Sequence, residues 1–387
     1  VPRAPIVLAL LSWPLSCCCD EPECGDDRRD PGELCFRAKR LGVDPGIDTP
    51  LAMRAGRFDD DEHPDIIVLG TDATGVSGRL LLGDGEGDLG EPRTAPVTGC
   101  SAYPVAGDLD GDGRLDLVFA SCTQSLVVFR ATGAADFTPA IEVPVGVVVR
   151  QAVIADVDGD GLRDLLVLGL NTDNVPTLSF AQAIDGNTFA PAFLTPQPVA
   201  AFPDLSPGMM VAGRLERSGR FEVVFAEAER GGALVRTHYV GAASFAAPAV
   251  LATSIRPAGL ALSDLDGDDD LDLLTGERAR GQLVSFLSAG DDLEEGPRTE
   301  FVGTAWQTFK LGQLDDDGHV DLAVITEDDI ELFRGLGDGS FESGARVAFP
   351  SLIAELSLVD LNGDGRDDLV AGTFTGDDPL TIVLSGP

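Results

Sequence analysis

The sequence predicts an all-β fold: a seven-bladed β-propeller of four-stranded antiparallel blades, closed by an N-terminal strand that completes the last blade. Three observations predict it. An acidic segment, best preserved as GDLDGDGRLDL from Gly107, recurs seven times. Its last acidic residues, Asp65, Asp116, Asp164, Glu222, Asp272, Asp321 and Asp368, follow one another at steps of 51, 48, 58, 50, 49 and 47 residues. A period in that range belongs to propellers, solenoids and arrays. Around each copy the same succession of short β-rich runs and glycine turns repeats, which is the layout of a four-stranded blade.

The spacing Asp-x-Asp-x-Asp-Gly-x-x-Asp sets four carboxylates on one short loop. Such groups repel one another and raise one another's pKa unless a cation sits among them. Oxygen ligands in that number suit Ca2+, which takes six to eight, better than Mg2+, which needs a tight octahedron. Each loop therefore reads as a calcium clasp between the two strands of a hairpin. It is not an EF-hand, because its twelfth position in the best copy is Phe119, not a bidentate Glu.

These repeats resemble the FG-GAP/VCBS family, whose blades build the seven-bladed propellers of integrin α-chains and of many bacterial surface proteins. The resemblance runs from about Gly46 to the end. It implies a fold and a metal more than a function.

The clasps differ in what they keep. Blades two, three, five and seven retain every ligand: Asp108, Asp110, Asp112 and Asp116; Asp156, Asp158, Asp160 and Asp164; Asp264, Asp266, Asp268 and Asp272; Asp360, Asn362, Asp364 and Asp368. A backbone carbonyl at the seventh position (Arg114, Leu162, Asp270, Arg366) completes each shell, so about four well-formed Ca2+ sites are expected. Blade six has Gln313 in place of the first Asp but keeps Asp315, Asp317 and Asp321, a weaker site. In blade one Arg57 stands beside Asp59, Asp61 and Asp65, its guanidinium a substitute for the ion. Blade four, with Arg214, Glu216, Ser218 and Glu222, is expected to use an internal salt bridge in place of metal.

Within blade two the expected strands are 104–107, 116–120, 125–130 and 137–145. Blade seven lacks a fourth run after residue 384, and the turn-plus-strand segment 32–43 resembles the fourth strand of blade six at 339–349. Residues 34–41 are therefore expected beside 380–384, which would remove the exposed edges of an open array.

Three organisational units follow: 1–19 as an export signal, 20–45 as a cysteine-containing lead-in with the closing strand, and 46–387 as the propeller. Ile6 to Ser12 is a short apolar run behind Arg3, the shape of a signal and too short to span a membrane. Cys17, Cys18 and Cys19 follow Leu15-Ser16 and leave lipoprotein-type acylation open beside free secretion. The lead-in pattern DPGExCF resembles segments that precede such repeats in bacterial exported proteins. In an oxidising compartment the expected disulfides are Cys24 with Cys35 and Cys100 with Cys122.

The balance of 65 acidic against 27 basic residues, a formal charge of −38, argues against nucleic acid, whose affinity comes from Lys and Arg neutralising phosphates. His63, His238 and His319 are scattered, and no G-x-S-x-G, H-E-x-x-H or phosphate-cradling loop is present, so no catalytic residue is assigned. The expected function is a non-catalytic calcium-binding propeller, a monomeric binding or adhesion scaffold for protein or glycan at the cell surface or outside the cell. The alternatives are a propeller lyase or hydrolase, or a passive part of an envelope assembly. In integrin-like propellers the loops between second and third strands form a recognition face opposite the clasps. Here they are 71–78, 171–176, 227–232 and 275–282, and they carry Arg230, Arg278 and Arg280, a candidate patch for an acidic ligand.

Overall fold

Second strands read as almost unbroken apolar runs because they are covered on both faces. DIIVLGTD (Asp65–Asp72), DLLVLGL (Asp164–Leu170) and DLVAGT (Asp368–Thr373) are buried along nearly their whole length. A half-solvated sheet would instead alternate. The outer strands are less covered, as in Phe341–Ala348, where buried and exposed residues are mixed. The computed structural model describes residues 34, 36–98, 104–133, 135–194, 210–215, 219–227, 232–253, 257–277, 280–290, 292–300, 306–326, 329–349, 352–374 and 379–386.

The described residues form seven antiparallel blades and no helix. Blade one comprises Thr49–Gly56, Asp65–Asp72, Gly75–Leu81 and Arg93–Ala95; blade two comprises Val105–Gly107, Asp116–Ala120, Ser125–Phe129 and Ile141–Pro144. Blade three comprises Val148–Ala155, Asp164–Leu170, Pro176–Ala181 and Phe193–Leu194; blade four comprises Met210–Gly213, Glu222–Glu227, Ala233–Gly241 and Ala249–Thr253. Blade five comprises Pro257–Ser263, Asp272–Glu277, Gln282–Ala289 and Asp292–Glu300; blade six comprises Trp306–Gly312, Asp321–Thr326, Asp329–Gly335 and Phe341–Ala348. Blade seven takes Ile353–Val359, Asp368–Thr373 and Leu380–Ser385 from the end of the chain and Phe36–Val43 from its beginning.

That last pairing is the expected closure. Val43 lies opposite Leu380, Leu41 opposite Ile382 and Phe36 opposite Ser385, with a bulge between Phe36 and Arg40. The first strands of blades two to seven touch their neighbours in order around the axis, Thr49–Gly56 touches Ile353–Val359, and Arg54 of blade one donates to the Pro104 carbonyl at the start of blade two at 2.9 Å, so the ring is complete.

The core is distributed over the seams between blades. Seven buried clusters occur among the described residues, and each draws on two consecutive blades. The seam between blades six and seven also holds Leu34 and Phe36, so the closing segment contributes side chains to the core as well as backbone pairing.

Blade two departs from expectation in one detail. Its fourth strand begins at Ile141, and Phe137 belongs to a small ladder with Ala131. The left-handed Ala135 (φ 56°) turns the chain there, and Pro139, which has no N–H to donate, separates this ladder from the outer strand. The Phe137 ring packs against Phe58 of blade one, with centroids 6.4 Å apart.

The expected export signal, the cysteines at 17–19 and the Cys24–Cys35 pair lie outside the described residues. Cys122 is disulfide-bonded, while Cys100, its expected partner, is also outside them. No helix of the described chain is long and apolar enough to cross a membrane.

Candidate metal clasps

The last acid of each clasp begins the second strand and is buried. Asp65, Asp116, Asp164, Asp272, Asp321 and Asp368 are each fully inaccessible. In each, one oxygen accepts the N–H of the residue seven positions earlier: Phe58, Leu109, Val157, Leu265, Leu314 and Leu361, at 2.8 to 3.0 Å. The other accepts an N–H from the end of the third strand: Gly83, Ala131, Ala183, Ser288, Gly335 and Ser385. A single carboxylate thus ties three stretches of one blade, and in Asp65, Asp164 and Asp272 each oxygen, with one donor, keeps a lone pair for a cation.

The first Asp organises the loop itself. Asp108 accepts the N–H groups of Gly111 (2.7 Å), Asp112 (3.2 Å) and Gly113 (2.9 Å). Asp264 holds Gly267, Asp268 and Asp269 in the same way, and Asp156 holds Gly159 and Gly161. The third Asp caps the N–H two residues on, as Asp160 does for Leu162 at 2.8 Å. Gly111 (φ 79°) and Gly113 (φ 89°) have the left-handed backbone this winding requires.

Four clasps bring three carboxylates together, each offering one oxygen within 4.8 Å of the others: Asp108, Asp110 and Asp116; Asp156, Asp158 and Asp164; Asp264, Asp266 and Asp272; Asp315, Asp317 and Asp321. Asp110 Oδ1, Asp266 Oδ1 and Asp315 Oδ2 are buried and accept no hydrogen bond. Oxygens stripped of water and left without a donor fit a hard cation. These four groups could hold a metal ion.

Blade seven has Asn362 where these four groups have Asp110, Asp158, Asp266 and Asp315. Asn362 Nδ2 donates to Asp368 Oδ1 at 3.3 Å, and the Ser385 hydroxyl donates to the same oxygen at 2.9 Å. Arg366, 1% exposed, reaches back to Asp316 of blade six, Nε to Oδ1 at 3.0 Å and Nη2 to Oδ2 at 2.6 Å. In blade one Arg57 donates from Nε to the Asp61 carbonyl at 3.0 Å. It braces the loop through backbone, and its guanidinium is not among the carboxylates.

Arg214 of blade four turns to blade three, where it donates to the Asp156 carbonyl at 3.1 Å. Glu222 faces Arg236, which also pairs with Asp292 of blade five at 2.5 Å. Glu222 thus meets a guanidinium from the third strand of its own blade, while Arg214 ties the loop both to its own Gly219 carbonyl and to blade three. Glu216 and Ser218 lie outside the described residues.

Burial pushes Asp65, Asp164, Asp272, Asp321 and Asp368 up to about 6, against the lowering effect of their backbone donors. Asp116 is also raised by burial, with Arg130 opposing. Asp110, Asp266 and Asp315 are raised, by burial first and also by neighbouring carboxylates.

A pH dependence follows. A folded pKa above the unfolded one means that the folded state binds more protons between about pH 4 and 6, so stability falls as pH rises through that window. The chelator-treated chain should therefore melt several degrees higher at about pH 5 than at about pH 7.5. A bound cation favours the ionised form and should reverse the order in millimolar calcium. Thermal melts at both pH values, with chelator and with calcium, check this.

The turns between third and fourth strands lie over the clasp of the preceding blade. Gly87 of blade one donates to the Leu361 carbonyl at 3.1 Å, and Gly339 of blade six to that of Leu265 at 3.0 Å. The Ser288 hydroxyl of blade five donates to the Leu215 carbonyl at 2.7 Å. A Cβ on Gly186 of blade three would lie 2.8 Å from Asp110 Cβ. His63 and His319 pack within their own blades, where a Cβ on Gly85 or Gly337 would fall 2.2 or 2.3 Å from the ring. His238 lies in a strand opposite Glu222.

On the opposite face, Arg280 is 62% exposed in its side chain and pairs with Glu277 at 3.4 Å, and Arg298 pairs with the same carboxylate at 3.0 Å. Arg230 and Arg278 lie outside the described residues. The Asp72 carboxylate closes its loop by accepting from Thr74 N (2.7 Å) and Ser77 Oγ (2.5 Å).

A family model described as FG-GAP-like repeat matches residues 57–119, 108–167 and 313–371. The chain carries FG-GAP-like repeats. Each FG-GAP-like match spans two consecutive clasps, the first beginning inside clasp one and the last inside clasp six. No curated protein matches the chain. Among solved structures, BBS1N in complex with ARL6DN is similar at a TM-score of 0.59 and 10% identity, over 92% of this chain and 97% of that one. The virginiamycin B lyase of Staphylococcus aureus with quinupristin follows at 0.54 and 11%, over 90% and 99%. The periplasmic gluconolactonase PpgL of Pseudomonas aeruginosa matches at 0.53 and 17%, over 76% and 84%. At such identities the likeness is one of fold.

Proposed function

We propose that this FG-GAP-like propeller is a non-catalytic, calcium-binding scaffold that presents a recognition face to a protein or glycan outside the cell. The observation that carries the calcium part is the set of gathered carboxylates with buried oxygens lacking donors at Asp266 and Asp315. Sites of this kind in extracellular modules have dissociation constants on the order of 10⁻⁴ to 10⁻³ M, which suits calcium levels outside cells. The disulfide at Cys122 suits the same oxidising surroundings.

Recognition falls to the face opposite the clasps. Each second strand starts at a clasp and ends there, so the loops that differ most between blades share one side of the ring. One of them is rigidified by Asp72, another by Asn171, whose Oδ1 accepts from Asp173 and Val175, each at 2.9 Å. Ordered loops on a rigid ring lose little conformational freedom on binding.

The test is an array of glycans and cell-surface proteins probed with the full chain in calcium and in chelator. Binding that disappears with chelator is the expected result. Turnover of a polysaccharide or phosphodiester without array binding would replace the scaffold by an enzyme.

A further inference from the structure

One position distinguishes clasps that are otherwise alike. It is the residue just before the third-strand N–H that bonds the last aspartate: Leu82, Arg130, Gln182, Leu287, Arg334 and Leu384 in blades one, two, three, five, six and seven. Three of its six occupants are polar, and in blades two and three the side chain reaches the clasp carboxylates.

In blade two the position delivers a cation of the protein's own. Arg130, 3% exposed, donates from Nη1 to Asp116 Oδ2 at 2.6 Å and from Nη2 to the Gly186 carbonyl. In blade three Gln182 Nε2 donates to Asp158 Oδ2, which supplies the donor that the equivalent Asp110, Asp266 and Asp315 lack. Arg214 adds a guanidinium 3.9 Å from Asp156 in the same clasp.

Blades five and six present the opposite case. Leu287 brings no donor, and a Cβ on Gly339 would lie 2.7 Å from its Cδ2, so it fills the space beneath the next blade's turn. Arg334 pairs with Glu342 at 2.8 Å and donates to none of the clasp carboxylates, acting on Asp315 only through its charge. Asp315 is 2% exposed with Oδ2 free of donors, and Asp321 is fully buried. Blade six, the clasp that departs from the repeat by having Gln313, thus holds the most deeply buried of the four acidic groups.

We propose that this third-strand position gates the clasps: blades five and six take calcium, whereas Arg130 and Gln182 hold blades two and three closed to it. The physical reason is direct. A divalent ion entering blade two must sit beside a buried guanidinium, and one entering blade three must displace an amide from the carboxylate it needs. The inference rests on the calcium reading above and refines it.

The test is isothermal titration of calcium chloride into the full chain after chelator treatment, for the parent and for Arg130→Leu, Gln182→Leu and the double variant. Leucine is what blades one, five and seven carry at this place. The parent should show about two ions in its tight class, each single variant about three and the double variant about four. Gln182→Leu removes no charge, so it keeps the test intact should Arg130→Leu fail to fold, and circular dichroism decides that. Four equivalent sites in the parent, or the same stoichiometry in folded parent and variants, would overturn the gating and leave the calcium reading standing. No calcium uptake by any form would overturn both.

Discussion

A chain beginning at residue 44 should fail to keep its ring. Without Phe36–Val43 the strand Leu380–Ser385, buried at all six positions, becomes an open edge of blade seven. Leu34 and Phe36 also leave the seam with blade six. Two large apolar side chains account for about 3 to 6 kcal/mol of burial, before any loss of ladder hydrogen bonds. An unprotected apolar edge then recruits other chains. The expected result is a melting temperature lower by about 5 °C or more, with association that grows with concentration. A synthetic peptide of residues 34–43 should restore part of the loss by adding back the missing strand. A truncated chain that melts with the full one and stays monomeric would show that the closing strand contributes little.

The second large effect belongs to Asp164→Ala. That substitution leaves the N–H groups of Val157 and Ala183, now 2.9 and 2.8 Å from the carboxylate, without acceptors in a buried place. Each such orphan costs about 1 to 3 kcal/mol, so about 2 to 6 kcal/mol is expected in urea unfolding. Asp160→Ala in the same loop loses one bond to an exposed N–H, that of Leu162, and should cost about 1 kcal/mol or less. Both are measured in chelator, so that the difference reports the fold and not the metal. Equal losses would mean that the last aspartate has no special structural part.

The blades were legible because the signal repeats. One acidic loop is ambiguous, but seven at steps near fifty residues fix the period, and the period fixes the strand layout. The closure was legible for a related reason: a blade short of one strand must find it somewhere, and segment 32–43 looked like the fourth strand of blade six. What could not be read was the inside of the clasps. Ligand spacing treats blades two, three, five and seven as equal, yet Arg130 and Gln182 lie outside the loops and reach the carboxylates only through strand pairing. Likewise, nothing in the loop of blade six announces that Arg366 of the next blade will be fastened to Asp316. The pairing of Arg334 with Glu342, a residue of the outer strand, lies equally outside the loop.

The overlap of turns and clasps gives the ring a direction. The turn of blade one covers a clasp in blade seven, that of blade six a clasp in blade five, and the end of the third strand in blade five reaches the clasp of blade four. A lesion in a turn is therefore felt first in the repeat that precedes it. A scan of substitutions through the turns would map onto the blades with an offset of one, and a repeat transplanted from elsewhere would have to match its two neighbours differently: its turn to the one before, its clasp to the one after.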